Sequence, residues 1–348
     1  MLISAFFFLI FANVVNHSKG IKQDVKTAFL FLVYFWIILI FTFRGTEVPD
    51  TQNYIKSYYG LAKSVKFEYL YTLICQIANV IGLSFNGFLL VLQLVLFSLW
   101  FHTSSKFFSD VHLAFLVFIP FMGIYNFGII IRSGIGLCLC YYAITYLLYH
   151  RSLKGYIIYY AILTASIFFQ QSMIVFLILP LYVFKRYNSV VLSIILIFSI
   201  LIPLLNIQHL IANFLEVYIK LFSFDKFLSY TRIHAKFDIH GVYSLTMIKY
   251  WIMSIIFILF RSKITSRKEM YNCFINIYIT GVFLIALTHF ISAGNRLAYL
   301  FFFFEFVIVI MLYEYSSLPR KIVLLGAIAL CVLNYLNLIS AIPVMISY

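Results

Sequence analysis

The sequence predicts an all-α, polytopic membrane protein: a helical bundle of about twelve transmembrane helices plus one re-entrant or interfacial helix. Three observations predict it. The 348 residues are 64% hydrophobic and 10% charged, with a mean hydropathy of +1.03. Apolar runs of about 17–25 residues, long enough to cross a bilayer as helices, recur along the chain. Backbone in hydrocarbon must also satisfy its own hydrogen bonds, which a helix does within one segment.

The first run, 1–16, has no basic leader and no small-residue cleavage site, so it reads as a retained first span. Further runs at 27–43, 87–104, 111–128, 132–149, 156–170, 171–184, 189–206, 246–260, 270–290, 297–314 and 321–341 complete the twelve. Segment 67–82 is also apolar, but it carries Glu68, Gln76 and Asn79. Positive charge decides its place. If 67–82 does not cross, the cytoplasmic loops hold Lys19, Lys22, Lys26, Lys106, Arg151, Lys154, Lys185, Arg186, Arg261, Lys263, Arg267, Lys268, Arg320 and Lys321. That is 14 of the 25 bases, all in short loops, as the positive-inside bias requires. If it crossed, Lys106 and every later basic loop would move outside. Both termini are therefore expected outside, with residues 1–348 forming a single transmembrane domain and 44–66 and 207–245 as external connections.

Composition excludes several classes. So greasy a chain is not a soluble domain. Its 25 bases outnumber 11 acids, yet they lie in short connections and form no soluble basic face, so no nucleic-acid partner is expected. The five cysteines all lie in apolar runs without CxxC spacing and read as small buried hydrophobes. No Walker-type loop or GxGxxG stretch is present, and no cofactor is expected. His209, His234 and His240 lack ligand spacing, so no metal site is expected.

The polar chemistry converges on the outward face. Arg44, Arg132 and Arg296 sit at or inside the edges of apolar runs, where a permanent charge is costly unless it meets water, an anion or a protein partner. Arg44 is followed by Asp50, Tyr54, Tyr58 and Tyr59. It can fork onto a phosphate, or simply snorkel to the interface beside a turn. Arg132 opens Arg-Ser-Gly-Ile-Gly, in which small residues admit a neighbouring helix. An arginine at a helix start suits a bound phosphate; a buried acid is the alternative partner. Gln170 and Gln171 stand at an outward hairpin tip, as sugar ligands or as helix glue. His289, Arg296 and Tyr299 form a late cluster. Glu305 lies nearly opposite Arg296 on an ideal helix and has no evident partner. The 207–245 loop mixes bases with aromatics, as a mobile lid or as an interfacial segment drawn to acidic lipids.

In this order, these residues resemble the EpsG/Wzy-like family of bacterial polysaccharide polymerases. The resemblance rests on an Arg–Asp–Tyr segment (Arg44, Asp50, Tyr54), an acid opening an apolar stretch (Glu68) and an Ile–Arg segment (Ile131, Arg132). A late segment holding Arg296 and Tyr299 completes it. It covers nearly the whole chain. Where the family usually carries a histidine, this chain has Gln170, which cannot serve as a general base.

The resemblance implies a GT-C-like, metal-independent membrane glycosyltransferase of the bacterial inner membrane, with its active face periplasmic or extracytoplasmic. Such an enzyme joins repeat units of O-antigen (lipopolysaccharide biosynthesis) or exopolysaccharide. Its expected partners are an undecaprenyl-pyrophosphate-linked oligosaccharide, membrane lipid and a chain-length regulator. Arg132, Arg296 and Arg44 would hold the donor pyrophosphate. Asp50 or Glu68 would orient or deprotonate the acceptor hydroxyl, with Asp50 preferred. Tyr54, Tyr58, Tyr59 and Tyr299 would stack on sugars, with Gln170, Gln171 and His289 nearby. A transporter or flippase of lipid-linked oligosaccharides is the main alternative. It would call for repeat-like halves and polar groups at both faces. A membrane acyltransferase is a third reading, with His289 the one outward candidate base.

Overall fold

A computed structural model describes residues 2–18, 20–61, 67–205, 245–288 and 292–341. The expected external loop 207–245 falls outside the described residues except at its last position. The first helices are α1 (Leu2–His17), α2 (Gln23–Thr42), α3 (Thr51–Tyr58), α4 (Tyr69–Val80), α5 (Phe85–Ser104) and α6 (Val111–Phe118). A π-helical segment, Ile119–Ile129, leads to α7 (Ile131–Tyr149) and α8 (Leu153–Phe169). A 3-10 helix, Gln171–Ile178, runs into α9 (Leu179–Tyr182), then α10 (Ser189–Leu204) and α11 (Leu245–Leu259). A second 3-10 turn, Phe260–Lys263, precedes α12 (Lys268–Thr288), α13 (Ser292–Phe302), α14 (Glu305–Tyr315) and α15 (Arg320–Ala341). Among the described residues there is no strand, only an isolated antiparallel bridge between Ile264 and Ser316.

Five helical stretches are long and apolar enough to cross a membrane: Gln23–Thr42, Phe85–Ser104, Ile131–Tyr149, Lys268–Thr288 and Leu297–Tyr315. The pair Val111–Phe118 and Met122–Ile129, bent by 74°, makes a sixth if it is one span. The chain is a multi-pass helical membrane protein. Helical segments occupy all twelve apolar runs, but several are shorter than the runs predict. Polar caps set four of the starts: Ser84, Asp110, Ser152 and Asn188 each accept a first-turn N–H with a side-chain oxygen. Segment 67–82 yields the 12-residue α4, which rises roughly 18 Å, well short of the hydrocarbon thickness.

The expected straight span 111–128 is instead broken. Pro120 has no N–H to give and clashes with the preceding turn, so the ladder shifts to π spacing there. Side chains from other helices then reach its loosened carbonyls. Gln93 donates to the Phe127 carbonyl (2.7 Å), and Arg44 donates to the carbonyls of Gly128 and, at 3.4 Å, Ile129.

The chain divides into two compact units, Met1–Leu177 with Lys321–Tyr348, and Ile178–Arg320. In the first, α7 is central and packs on α8, α5 and the π segment. Its small residues permit this. The Ser166 hydroxyl of α8 donates to the Gly136 carbonyl at 2.9 Å, and a Cβ on Gly134 would lie 2.4 Å from the Asn126 carbonyl oxygen. All five cysteines are free and buried.

In the second unit, α12 is central, against α10, α11, α13 and α14. Glu305, without an account from sequence, pairs there with Lys249 of α11 at 3.0 Å, and Tyr278 of α12 donates its hydroxyl to the other carboxylate oxygen, also at 3.0 Å. Both charged side chains are under 10% exposed, so the pairing offsets part of the cost of burying them.

Candidate functional site

The first unit gathers two of the three expected arginines. Helix α2 ends at Thr42, and the turn that follows carries Arg44 back over the end of the π segment. Arg132 is the second residue of α7. Both guanidinium groups lie over one ring, that of Tyr54 in α3, with their central carbons 5.4 Å (Arg44) and 5.9 Å (Arg132) from its centroid. Arg132 also lies over Phe67, 4.1 Å from the ring centroid. Tyr54 is fully buried and touches the rings of Phe67 and Tyr71. An aromatic face is one of few surfaces that accepts a cation away from water.

Glu68 precedes α4 and pairs with Arg132 through its Oε2. Its Oε1 accepts the backbone N–H of Gln171, 3.3 Å away, where the 3-10 helix begins. One carboxylate thus ties together the starts of α4, α7 and that 3-10 helix. The pair is mostly buried, at 16% and 13% exposure. Of the two alternatives left open for Arg132, a buried acid is its partner in this structure.

Not every donor or acceptor is used. Nε and Nη2 of Arg44, Nε of Arg132 and Oε1 of Gln170 are buried without a hydrogen-bond partner. Burial pushes the Arg44 guanidinium below its usual pKa, while Tyr54, Tyr71 and Asp50 act the other way. Burial also raises the Tyr54 hydroxyl against the pull of Arg132 and Arg44, so Tyr54 stays neutral. The cluster is therefore a cationic pocket with one resident carboxylate and donors to spare.

The remaining expected residues are placed as follows. Asp50 is exposed, in a left-handed conformation (φ 65°) at the start of α3, with no capping hydrogen bond from its side chain. Tyr58 is buried against Phe88 and donates its hydroxyl to the Leu83 carbonyl at 2.7 Å. Tyr59 is 47% exposed. Gln170 is half-buried, and Gln171 joins the cluster through its backbone. In the second unit, Arg296 lies on α13 with its side chain outside the described residues, as is all of His289. Tyr299 follows on the same helix, half-buried against Phe302. The sequence reading missed Phe67 as a platform for Arg132 and Lys249 as the partner of Glu305. An aromatic directly before an opening acid was the available signal for the former.

Two cavities flank the cluster within the first unit. One, of about 450 Å³, has a polar wall formed by Ser57, Tyr58, Tyr59, Thr72, Gln76 and Asn79. It lies one turn along α3 from Tyr54. The other, of about 410 Å³, is apolar and runs between α4, α5 and α7, with Ile77, Val91, Leu96, Ile135, Leu139 and Phe169 in its wall. Ile135 is three residues past Arg132 and Phe169 adjoins Gln170, so this groove ends beside the charged cluster.

The family model described as the EpsG family matches residues 27–348. No curated protein and no solved structure matches the chain.

Proposed function

The chain belongs to the EpsG family, and on that premise we propose that it polymerises lipid-linked glycan repeat units at the outer face of the bacterial inner membrane. The donor would be a growing chain on undecaprenyl pyrophosphate, and the acceptor a sugar hydroxyl of another lipid-linked unit, as in O-antigen or exopolysaccharide assembly. In this reading the chain crosses the membrane about twelve times in a GT-C-like arrangement, with α4 interfacial or re-entrant.

The observation that carries the proposal is the buried Arg44–Tyr54–Arg132–Glu68 cluster with its unused guanidinium donors. A diphosphate would take up those donors, displacing Glu68 from Arg132. The anomeric carbon–oxygen bond to the pyrophosphate breaks, the leaving oxygen keeps the electron pair, and the arginines stabilise the charge that grows there. The acceptor hydroxyl forms the new bond and gives its proton to a carboxylate. Asp50 is exposed, whereas Glu68 stands at the cluster and is freed by the donor's arrival, so geometry favours Glu68 over the sequence preference. Arg296 keeps the phosphate-binding role that the resemblance assigns it. Tyr54 serves as a spacer between cations, and sugar contact falls to Tyr59 and the polar cleft. The apolar groove beside Arg132 takes the first isoprene units.

Arg132→Ala, Arg296→Ala and Glu68→Gln should each abolish polymer laddering in cells while single repeat units remain attached. Arg132→Lys should rescue poorly, because an ammonium has no fork. Normal ladders from the alanine variants would reject the site. Purified protein given a lipid-linked repeat unit should make polymer; transbilayer movement without polymer would favour the flippase instead.

A further inference from the structure

The second unit holds a separate basic cleft. It has a volume of about 440 Å³, and its wall includes Arg186, Asn188, Ser189, Arg261, Ser262 and Lys268, with no acidic side chain. Arg186, Arg261 and Lys268 make no ion pair among the described residues. Arg261 Nε donates to Asn272 Oδ1 at 2.6 Å, an amide that aims the guanidinium without neutralising it. Burial and then the proximity of Arg186 lower the Arg261 pKa, while Tyr271 acts the other way.

The walls are fixed rather than loose. Asn276 donates to the carbonyls of Val183 and Lys185, both at 2.9 Å, which pins the chain leading to Arg186. On the other side, Thr265 N–H donates to the Tyr315 carbonyl and Ser317 N–H to that of Lys263, both at 2.8 Å. Arg267, just before Lys268, is held in the left-handed region (φ 54°). Asn188 caps α10 by accepting from Val191 N–H at 2.8 Å, so the positive end of that 16-residue helix adds to the cleft. Beside the cleft, α10 and α11 present bare apolar side chains, with Val190 64%, Ile194 45% and Leu259 65% exposed.

Two guanidinium forks, an ammonium and two hydroxyls in one rigid cleft suit a phosphate ester. The apolar rim decides which one, because a free phosphate has no use for it. We propose that this cleft binds the headgroup of an anionic phospholipid, its acyl chains lying along α10 and α11. Both loops that form it belong to the cytoplasmic set by charge, so the lipid would come from the inner leaflet, whatever the protein's reaction.

The test uses the full chain, purified and reconstituted in phosphatidylcholine nanodiscs with or without phosphatidylglycerol. Native mass spectrometry should find phosphatidylglycerol retained. An Arg186→Gln/Arg261→Gln variant should bind it at least about tenfold more weakly, from the loss of charge-assisted hydrogen bonds. Lys22→Gln/Lys154→Gln removes equal charge from exposed positions elsewhere and should bind as the parent does. Lys268→Gln, at an exposed position, should weaken binding by a smaller factor and serves if the double variant does not fold. Equal retention by all variants would overturn the site. Displacement of the lipid by inorganic phosphate at comparable concentration would overturn the lipid assignment in favour of a free anion.

Discussion

Arg44 shows how one side chain can hold two tasks. Its Nη1 satisfies carbonyls at the end of the π segment, while Nε and Nη2 stay unpartnered. Replacing it would disturb the entry to α7, and so Arg132, as well as removing a cation. Cys75 of α4 offers a cleaner residue-scale test. Burial pushes its thiol up to about 11, against an opposing hydrogen bond with Tyr71. The thiolate is the reactive form, so alkylation of a protein retaining only Cys75 should still climb at about pH 10, where an ordinary thiol near 8.5 has levelled off. A plateau at about pH 9 in iodoacetamide kinetics would refute that burial. The arginines were legible from sequence because a permanent charge in an apolar run is conspicuous. Glu68 as the partner of Arg132 was not, since 64 residues separate them and nothing local signals a long-range pair. The enclosure of Tyr54 was hidden for the same reason: a tyrosine two residues past a polar Gln52 looks exposed until α4 covers it.

At the scale of elements, helix ends were set by caps and breaks that apolar runs blur. The runs marked where helices lie, but Pro120, visible in the chain, marks where one of them divides into α6 and the π segment. The close approach at Gly134 gives a prediction. Alanine would gain up to about 1 kcal/mol of helix propensity. It would also place a Cβ 2.4 Å from the Asn126 carbonyl oxygen, a backbone atom that cannot swing aside. Overpacking of this kind costs about 1–3 kcal/mol, so Gly134→Ala should be net destabilising and lower the melting temperature. An unchanged or raised melting temperature would mean that the π segment yields.

For the molecule as a whole, two measurements bear on assembly and orientation. In the second unit, three helices meet at Lys249, Tyr278 and Glu305. Glu305→Ala should cost about 3–5 kcal/mol by taking the carboxylate away from a buried ammonium, and Lys249→Met added to it should restore much of the loss. Additive losses in denaturant titrations would show the pair to be uncoupled. Orientation rests on charge bookkeeping alone, which the chain supplied through its basic loops. Single cysteines at positions 106 and 225 should label from opposite faces, 106 from the cytoplasm and 225 from outside; reversed labelling would invert the topology. The segment containing 225 reads from sequence as a connection whose mixed aromatics and bases fit more than one arrangement, and it lies outside the described residues. The carboxylate on Arg132 has a quieter effect. While idle, Arg132 is matched by its own acid and only Arg44 is left to draw on a passing anion. Any visitor must evict a tenant, and when it departs the tenant returns, leaving the lodging as it was found.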